Sequence, residues 1–254
     1  MKNIHFIGIG GIGVSALAKY YHSKGAEITG SDLNNSEIIE SLKKDGVKIY
    51  IGKHNPELIN TNIEKVIYSP AVPKNDPEII KAKELNLNIL SYPEALGELT
   101  RSYFTIAVAG SHGKSTIAAM IGVLLKEAGL DPTVIVGTKV KEFNNSNEIT
   151  GDSKYLVIEA CEHFSSFLNY SPQIIVLSNI EADHLDFYGN MENLLNGFRK
   201  FIDKLPKDGL LIANGDSENV RKIIKPEDNV KWFSLEDKEN EEIRKIINRC
   251  LLKT

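Results

Sequence analysis

The chain has 254 residues, 42% of them hydrophobic, enough to fill a sizeable core in one large domain or two ordinary ones. A formal net charge of -4 and a pI near 5.9 give no basic footprint, so nucleic acid is not expected as a partner and any anionic ligand is left to local features. Two cysteines exclude a disulfide framework and fit a reducing cytoplasm, the N-terminus lacks the apolar core of a signal peptide, and no stretch reaches the roughly 18 apolar residues of a membrane span.

Runs rich in β-branched residues recur at 2–8, 26–30, 47–51, 65–69 and 87–91, with helix-like stretches between the first four, a pattern that predicts a parallel sheet. The first run opens Gly8-Ile9-Gly10-Gly11-Ile12-Gly13, and a helix-like run follows. Glycines in that strand–turn–helix setting let the backbone turn tightly and aim helix N–H groups at a diphosphate. Asp32, just past the second run, stands where a carboxylate accepts from a nucleotide's ribose or base. The loop alone leaves NAD, a nucleotide-sugar diphosphate and no ligand all open.

A short helix begun by Pro93 leads into the strand at 103–109, and the domain boundary is placed there, between 1–99 and 100–254. That strand feeds Gly110-Ser111-His112-Gly113-Lys114-Ser115-Thr116 and a helix over 114–128 that stops at Gly129. Val108 stands where the strict Walker A formula has its first glycine. The physical needs of a phosphate loop are still met: small residues for close backbone approach, Lys114 for the β- and γ-phosphates, and a Ser115 hydroxyl for Mg²⁺. Replacement of Lys114 by Ala is expected to leave the fold intact.

Further strands are expected at 133–137, 154–160, 173–179, 209–213 and 230–234, and helices at 191–204 and over Glu239 to Leu252, where Ile243, Ile246, Ile247 and Leu251 form an apolar stripe. Glu159 ends one buried strand and is a candidate magnesium ligand. Asn179, Glu181, Asp183 and His184 crowd the end of another, which favours metal or phosphate work for His184 over packing. Cys161 is expected to be a small buried hydrophobe.

Gly8 to Gly13, Ser69-Pro70-Ala71-Val72-Pro73, Gly110 to Thr116, Glu159-Ala160-Cys161-Glu162 with Ser166-Phe167-Leu168, and Asn179 to Asp186 occur in the order seen in Mur ligases. The chain resembles that family over essentially its whole length, nearest to the members that add L-alanine. The resemblance implies a Rossmann-like parallel-sheet N-terminal domain that binds UDP-N-acetylmuramate, followed by a P-loop-type α/β domain that binds ATP and Mg²⁺. In that reading Gly8, Gly10, Gly11, Ile12, Gly13, Asp32, His54 and Ser69 hold the UDP-sugar. Gly110, Ser111, His112, Gly113, Lys114, Ser115, Thr116 and Asn179 hold ATP; Lys114, Glu159 and His184 carry the catalysis; and Ser115, Glu159 and His184 hold metal.

Ser111 and Ser115 stand where the family more usually has threonines. The family's Gly-x-His-Asn segment and amino-acid domain do not occur before Thr254, so L-alanine is expected as a partner only where that domain is supplied, and ligation by these residues alone is expected to be negligible. The alternatives are a nucleotide-binding regulatory module of the same family and an NAD-dependent oxidoreductase; the second leaves the Asn179 to Asp186 cluster unexplained.

Overall fold

The computed structural model describes residues 2–234; the helix expected over Glu239 to Leu252 lies outside them. Close contacts divide the chain into two compact units. The first holds Met1–Thr105, Ser115–Glu159 and Asn169–Ser171, and the second Ile106–Lys114, Ala160–Leu168 and the chain from Pro172 onward.

In the first unit, β1 (Asn3–Ile7), β2 (Glu27–Asp32), β3 (Lys48–Ile51), β4 (Lys65–Tyr68) and β5 (Asn88–Ser91) form a parallel sheet in the order β3-β2-β1-β4-β5. The register pairs Ile7 with Ser31 and with Tyr68, so Gly8, Asp32 and Ser69 all emerge at one edge, the carboxyl ends of the strands. Open parallel sheets bind ligands at that edge. Phe6, Ile7, Val66 and Ile67 are wholly buried, as strands covered on both faces require.

The crossovers are α1 (Ile12–Ser23), α2 (Glu37–Lys44) and α3 (Pro77–Glu84), and α4 (Tyr92–Thr100) follows β5. Their starts are locally encoded. Ser36 accepts from the Ile39 N–H, Asp76 caps α3 ahead of Pro77, and Ser91 with Glu94 forms a capping box. The helix expected between the third and fourth strands is instead a single 3-10 turn, Pro56–Leu58. Asn55 starts the turn, Ile59 is already extended, and Asn60 bends the chain by accepting from the Asn62 N–H, so no helical nucleus can grow. The helix of that half-sheet is α3, one connection later.

The same unit contains β7 (Thr133–Val140), β8 (Ser146–Ile149) and β9 (Tyr155–Glu159), in the run β8-β7-β9. β7 is parallel to β9 but antiparallel to β8, a strand absent from the expected set. The register slips between Ile135 and Val140, which takes Gly137 out of the regular ladder.

The second unit is built on a parallel run, β12 (Val230–Phe233), β11 (Leu210–Asn214), β10 (Ile174–Leu177) and β6 (Phe104–Ala109), with α6 (Leu185–Tyr188), α7 (Met191–Ile202) and α8 (Glu218–Ile223). Phe167 stacks on Phe201 at 4.7 Å and meets Phe198 edge-on, which anchors the apolar face of α7. α5 (Lys114–Glu127) runs out of the second glycine loop. Among the described residues, no helix is long and apolar enough to cross a membrane.

Candidate functional site

The first glycine loop is braced before any ligand arrives. Asp32 accepts from the Gly10 N–H at 2.8 Å through one oxygen and from the Asn34 N–H at 3.2 Å through the other. Asp32 is therefore a brace for the loop as well as a candidate ligand contact. Gly13 is required by packing: a Cβ there would stand 2.7 Å from the Tyr92 ring of α4. Gly8, Gly11, Asp32, His54 and Ser69 line one cavity of about 550 Å³, together with Leu33, Lys53 and Val72. Gly10, Ile12 and Gly13 do not line it; they shape the loop and the first turn of α1.

His54 is nearly buried, and its Nδ1 lies 2.5 Å from Oδ2 of Asp76, the α3 cap. Its other ring nitrogen is buried and has no hydrogen-bond partner among the described residues, in a side chain that lines the cavity. Such an orphaned polar atom marks a ligand position better than a satisfied one does. One turn into α3, Glu78 is wholly buried and accepts from the Asn55 N–H at 2.9 Å and the Ser31 hydroxyl at 2.6 Å, with His5 Nε2 at 3.2 Å. Burial pushes its carboxyl up, but the hydrogen bonds from His5 and Ser31 outweigh that and hold it below the usual range. Asp76 and Glu78, neither expected from the sequence, thus fix the loop of His54 and the strand end beside Asp32.

In the second glycine loop, Gly110 has φ 134°, a region that side chains rarely adopt, and a Cβ there would collide with the Ser178 hydroxyl. The loop is latched to the end of β10. Ser111 N–H donates to the Asn179 carbonyl at 2.9 Å, its hydroxyl accepts from the Glu181 N–H, and the Asn179 amide bonds both the N–H and the carbonyl of His112. Asn179 holds the loop's shape by those bonds. Thr116 is exposed on the first turn of α5.

Lys114 donates to the carbonyls of Gly110 and Ser111 at 2.7 and 3.1 Å, and its ammonium lies 3.0 Å from Glu162. Glu162 is wholly buried. This pair was missed by sequence reasoning, although Glu162 sits three residues after Glu159 in a segment already singled out. Ser115 donates to Glu159 at 2.7 Å, and the Gly137 N–H released by the slipped register donates to the same oxygen at 2.8 Å. A hydroxyl and a carboxylate held together are the oxygen donors a hard divalent cation prefers.

His184 caps α6 with φ 52° and belongs to a different cluster, in which one ligand atom each from Glu162, Asp183 and His184 lies within 4.8 Å of the others. Its ring stacks on His163 at 4.2 Å. The donor set of two carboxylates and an imidazole suits a divalent ion. Phe164 and Ser165, both at positive φ, shape the turn before it, strain of the kind that collects at functional sites. Cys161, expected to be a small buried hydrophobe, is half-buried.

Residues 3–104 match the Mur ligase family catalytic domain and residues 108–249 the Mur ligase middle domain. The UDP-N-acetylmuramate–L-alanine ligase of Clostridium botulinum (strain Okra / Type B1) is 44% identical over 225 residues, covering 88% of this chain and 48% of that protein. The protein of that name from Caldicellulosiruptor saccharolyticus is 43% identical over 240 residues, 94% of this chain and 52% of its own. The chain spans about half the length of these relatives. Among solved structures, the UDP-N-acetylmuramate-alanine ligase MurC of Thermotoga maritima superposes with a TM-score of 0.81 at 29% identity, covering 93% of this chain and 53% of that one. The UDP-N-acetylmuramate:L-alanyl-gamma-D-glutamyl-meso-diaminopimelate ligase of Neisseria meningitides gives 0.83 at 26% identity, covering 92% and 78%. Two successive family matches along one chain place it in the Mur ligase family.

Proposed function

We propose that the chain forms the UDP-sugar-binding and ATP-binding parts of a cytoplasmic ligase of peptidoglycan synthesis, one that joins L-alanine to the lactyl carboxylate of UDP-N-acetylmuramate. Residues 1–99 would hold the UDP-sugar and residues 100–254 ATP. The observation that carries this reading is the second loop: preformed at a strand end, with Lys114 folded over it and Ser115 on Glu159. The choice of L-alanine over a peptide rests on the 44% identity to a curated L-alanine ligase over 88% of this chain.

A carboxylate does not acylate an amine near neutral pH without activation. ATP supplies it by phosphorylating the lactyl carboxylate, and the amine then displaces phosphate from the acyl phosphate. Positioning and charge neutralisation dominate such a step. Lys114 would leave the loop carbonyls to meet the γ-phosphate, while the loop N–H groups hold the other phosphates. Mg²⁺, when bound, neutralises phosphate charge; Ser115 and Glu159 would hold one ion, and His184 with Glu162 and Asp183 another. Asp32, Ser69 and the orphaned nitrogen of His54 would orient the UDP portion in the 550 Å³ cavity.

The test is calorimetric titration with UDP-N-acetylmuramate and, separately, NADH. The UDP-sugar is expected to bind and NADH to bind poorly; tighter binding of NADH overturns the assignment of the first loop.

A further inference from the structure

β8 contributes one side chain to the first turn of α1. Asn147 is 2% exposed, and its amide nitrogen donates to the Ile12 carbonyl and, at 3.1 Å, to the Ser15 hydroxyl. Ser15, itself wholly buried, donates back to the Ile12 carbonyl at 2.9 Å. The amide oxygen of Asn147 accepts from Lys19 Nζ at 3.2 Å, and Lys19 also donates to Ser146. Every polar group of this buried amide is matched, and all its partners lie on the first two turns of one helix. That helix starts at Gly11, a residue of the cavity wall.

A buried, fully satisfied amide aimed at a helix start does more than fill space. α1 has no side-chain cap and no acidic residue in its first turn, so nothing within the helix itself fixes its N-terminal end. The clamp must come from outside, and β8 is short, paired among the described residues only along β7, and devoid of a hydrophobic run of its own. Its sequence, Ser146-Asn147-Glu148-Ile149, is explained by what it grips.

We infer that Asn147 is a positioning residue for the diphosphate of the UDP-sugar: it holds the first turn of α1 so that the N–H groups of the Gly8 to Gly13 loop are aimed before the ligand arrives. Preorganised donors gain affinity because the ligand does not have to order them. This inference rests on the first loop being the UDP-sugar site.

The experiment measures affinities of the whole chain for UDP-N-acetylmuramate, uridine monophosphate and Mg-ATP in the wild type, Asn147→Ala and Asn147→Asp. The aspartate keeps the size and the acceptor but removes the donor. Loss of these hydrogen bonds is expected to weaken UDP-N-acetylmuramate about tenfold in both variants. Uridine monophosphate, which lacks the second phosphate, and Mg-ATP should each change less than about twofold, within the spread of a neutral substitution. A purely structural residue would weaken all three together, and that result, or unchanged UDP-sugar binding, overturns the proposal. Should both variants fail to fold, Lys19→Met carries the same test from the rim of the clamp, with a smaller selective loss expected and a uniform or absent loss contradicting it. A wild type that binds no UDP-sugar overturns the functional reading itself, and this inference with it; a wild type that binds, without a selective loss in the variants, overturns only the role of Asn147.

Discussion

Asp76 uses its two oxygens for two tasks: Oδ2 lies 2.5 Å from His54 Nδ1, and Oδ1 accepts from the Glu78 N–H at 3.0 Å to cap α3. One carboxylate thus ties a helix start to the ring whose other nitrogen has no partner among the described residues. Asp76→Ala is expected to cost about 1 kcal/mol of stability through the lost cap. It should also weaken UDP-N-acetylmuramate about tenfold by releasing His54. Asp76→Asn, which keeps an acceptor for the helix, should recover the stability first. Thermal melts and calorimetry on the two variants check this; equal UDP-sugar affinity in the wild type and Asp76→Ala would show that the ring is held by packing alone.

Glu78 makes stability depend on acid. Its native carboxyl is held below the usual range, so its stabilisation is present above the unfolded value of about pH 4.3 and is lost as pH falls through the native value. Glu78→Ala, which leaves a buried network without its centre, should cost about 3 kcal/mol at pH 7. The gap between wild type and variant, followed by denaturant unfolding, should narrow below pH 4. A gap that stays constant down to pH 3 would contradict the role given to the ionised carboxylate.

Glu148 shows the opposite sign. Burial pushes its carboxyl up and nearby Asp45 adds to this, while Thr150 and Lys19 oppose it. A raised native value means that stability is greatest in acid and declines as pH rises from about 4.3 towards that value. Glu148→Gln should therefore gain on the wild type between pH 4 and pH 8, measured as the difference in melting temperature. A difference that shrinks with rising pH would refute the assignment.

Lys114 carries a structural duty that its sequence context does not reveal. Its ammonium is 3.0 Å from a wholly buried Glu162, so Lys114→Ala takes the ion-pair partner from a buried charge, and a stability cost is expected where the sequence alone predicts an intact fold. A cost of about 3 to 5 kcal/mol is expected for the single variant, and much less for Lys114→Ala combined with Glu162→Gln. Equal stability of the single and double variants, by denaturant unfolding, would show that the pair is loosely held.

The two glycine loops, the strand ends beside them and the parallel sheet were legible because their signals are local: glycine spacing, β-branched runs and caps within four residues. What was not legible is pairwise and distant. Nothing near Asn147 announces that it meets Ile12, and Ser146 to Ile149 has no strand signature because its pairing with β7 makes it a strand. Glu162 stood in plain view beside Glu159, yet only the fold shows that it faces Lys114 while Glu159 faces Ser115. Asn179 and Asp32, both read as ligand contacts, brace their loops through bonds to His112 and Gly10 that sequence separation conceals.

Two phosphate loops on one chain are proposed to hold two different nucleotides. The most direct test saturates the protein with UDP-N-acetylmuramate and then titrates Mg-ATP by calorimetry, in the wild type and in Lys114→Ala combined with Glu162→Gln. One further binding event is expected in the wild type, with the UDP-sugar retained, and loss of that event in the double variant with UDP-sugar affinity unchanged. Displacement of the UDP-sugar by ATP, or undiminished ATP binding without Lys114, would contradict it.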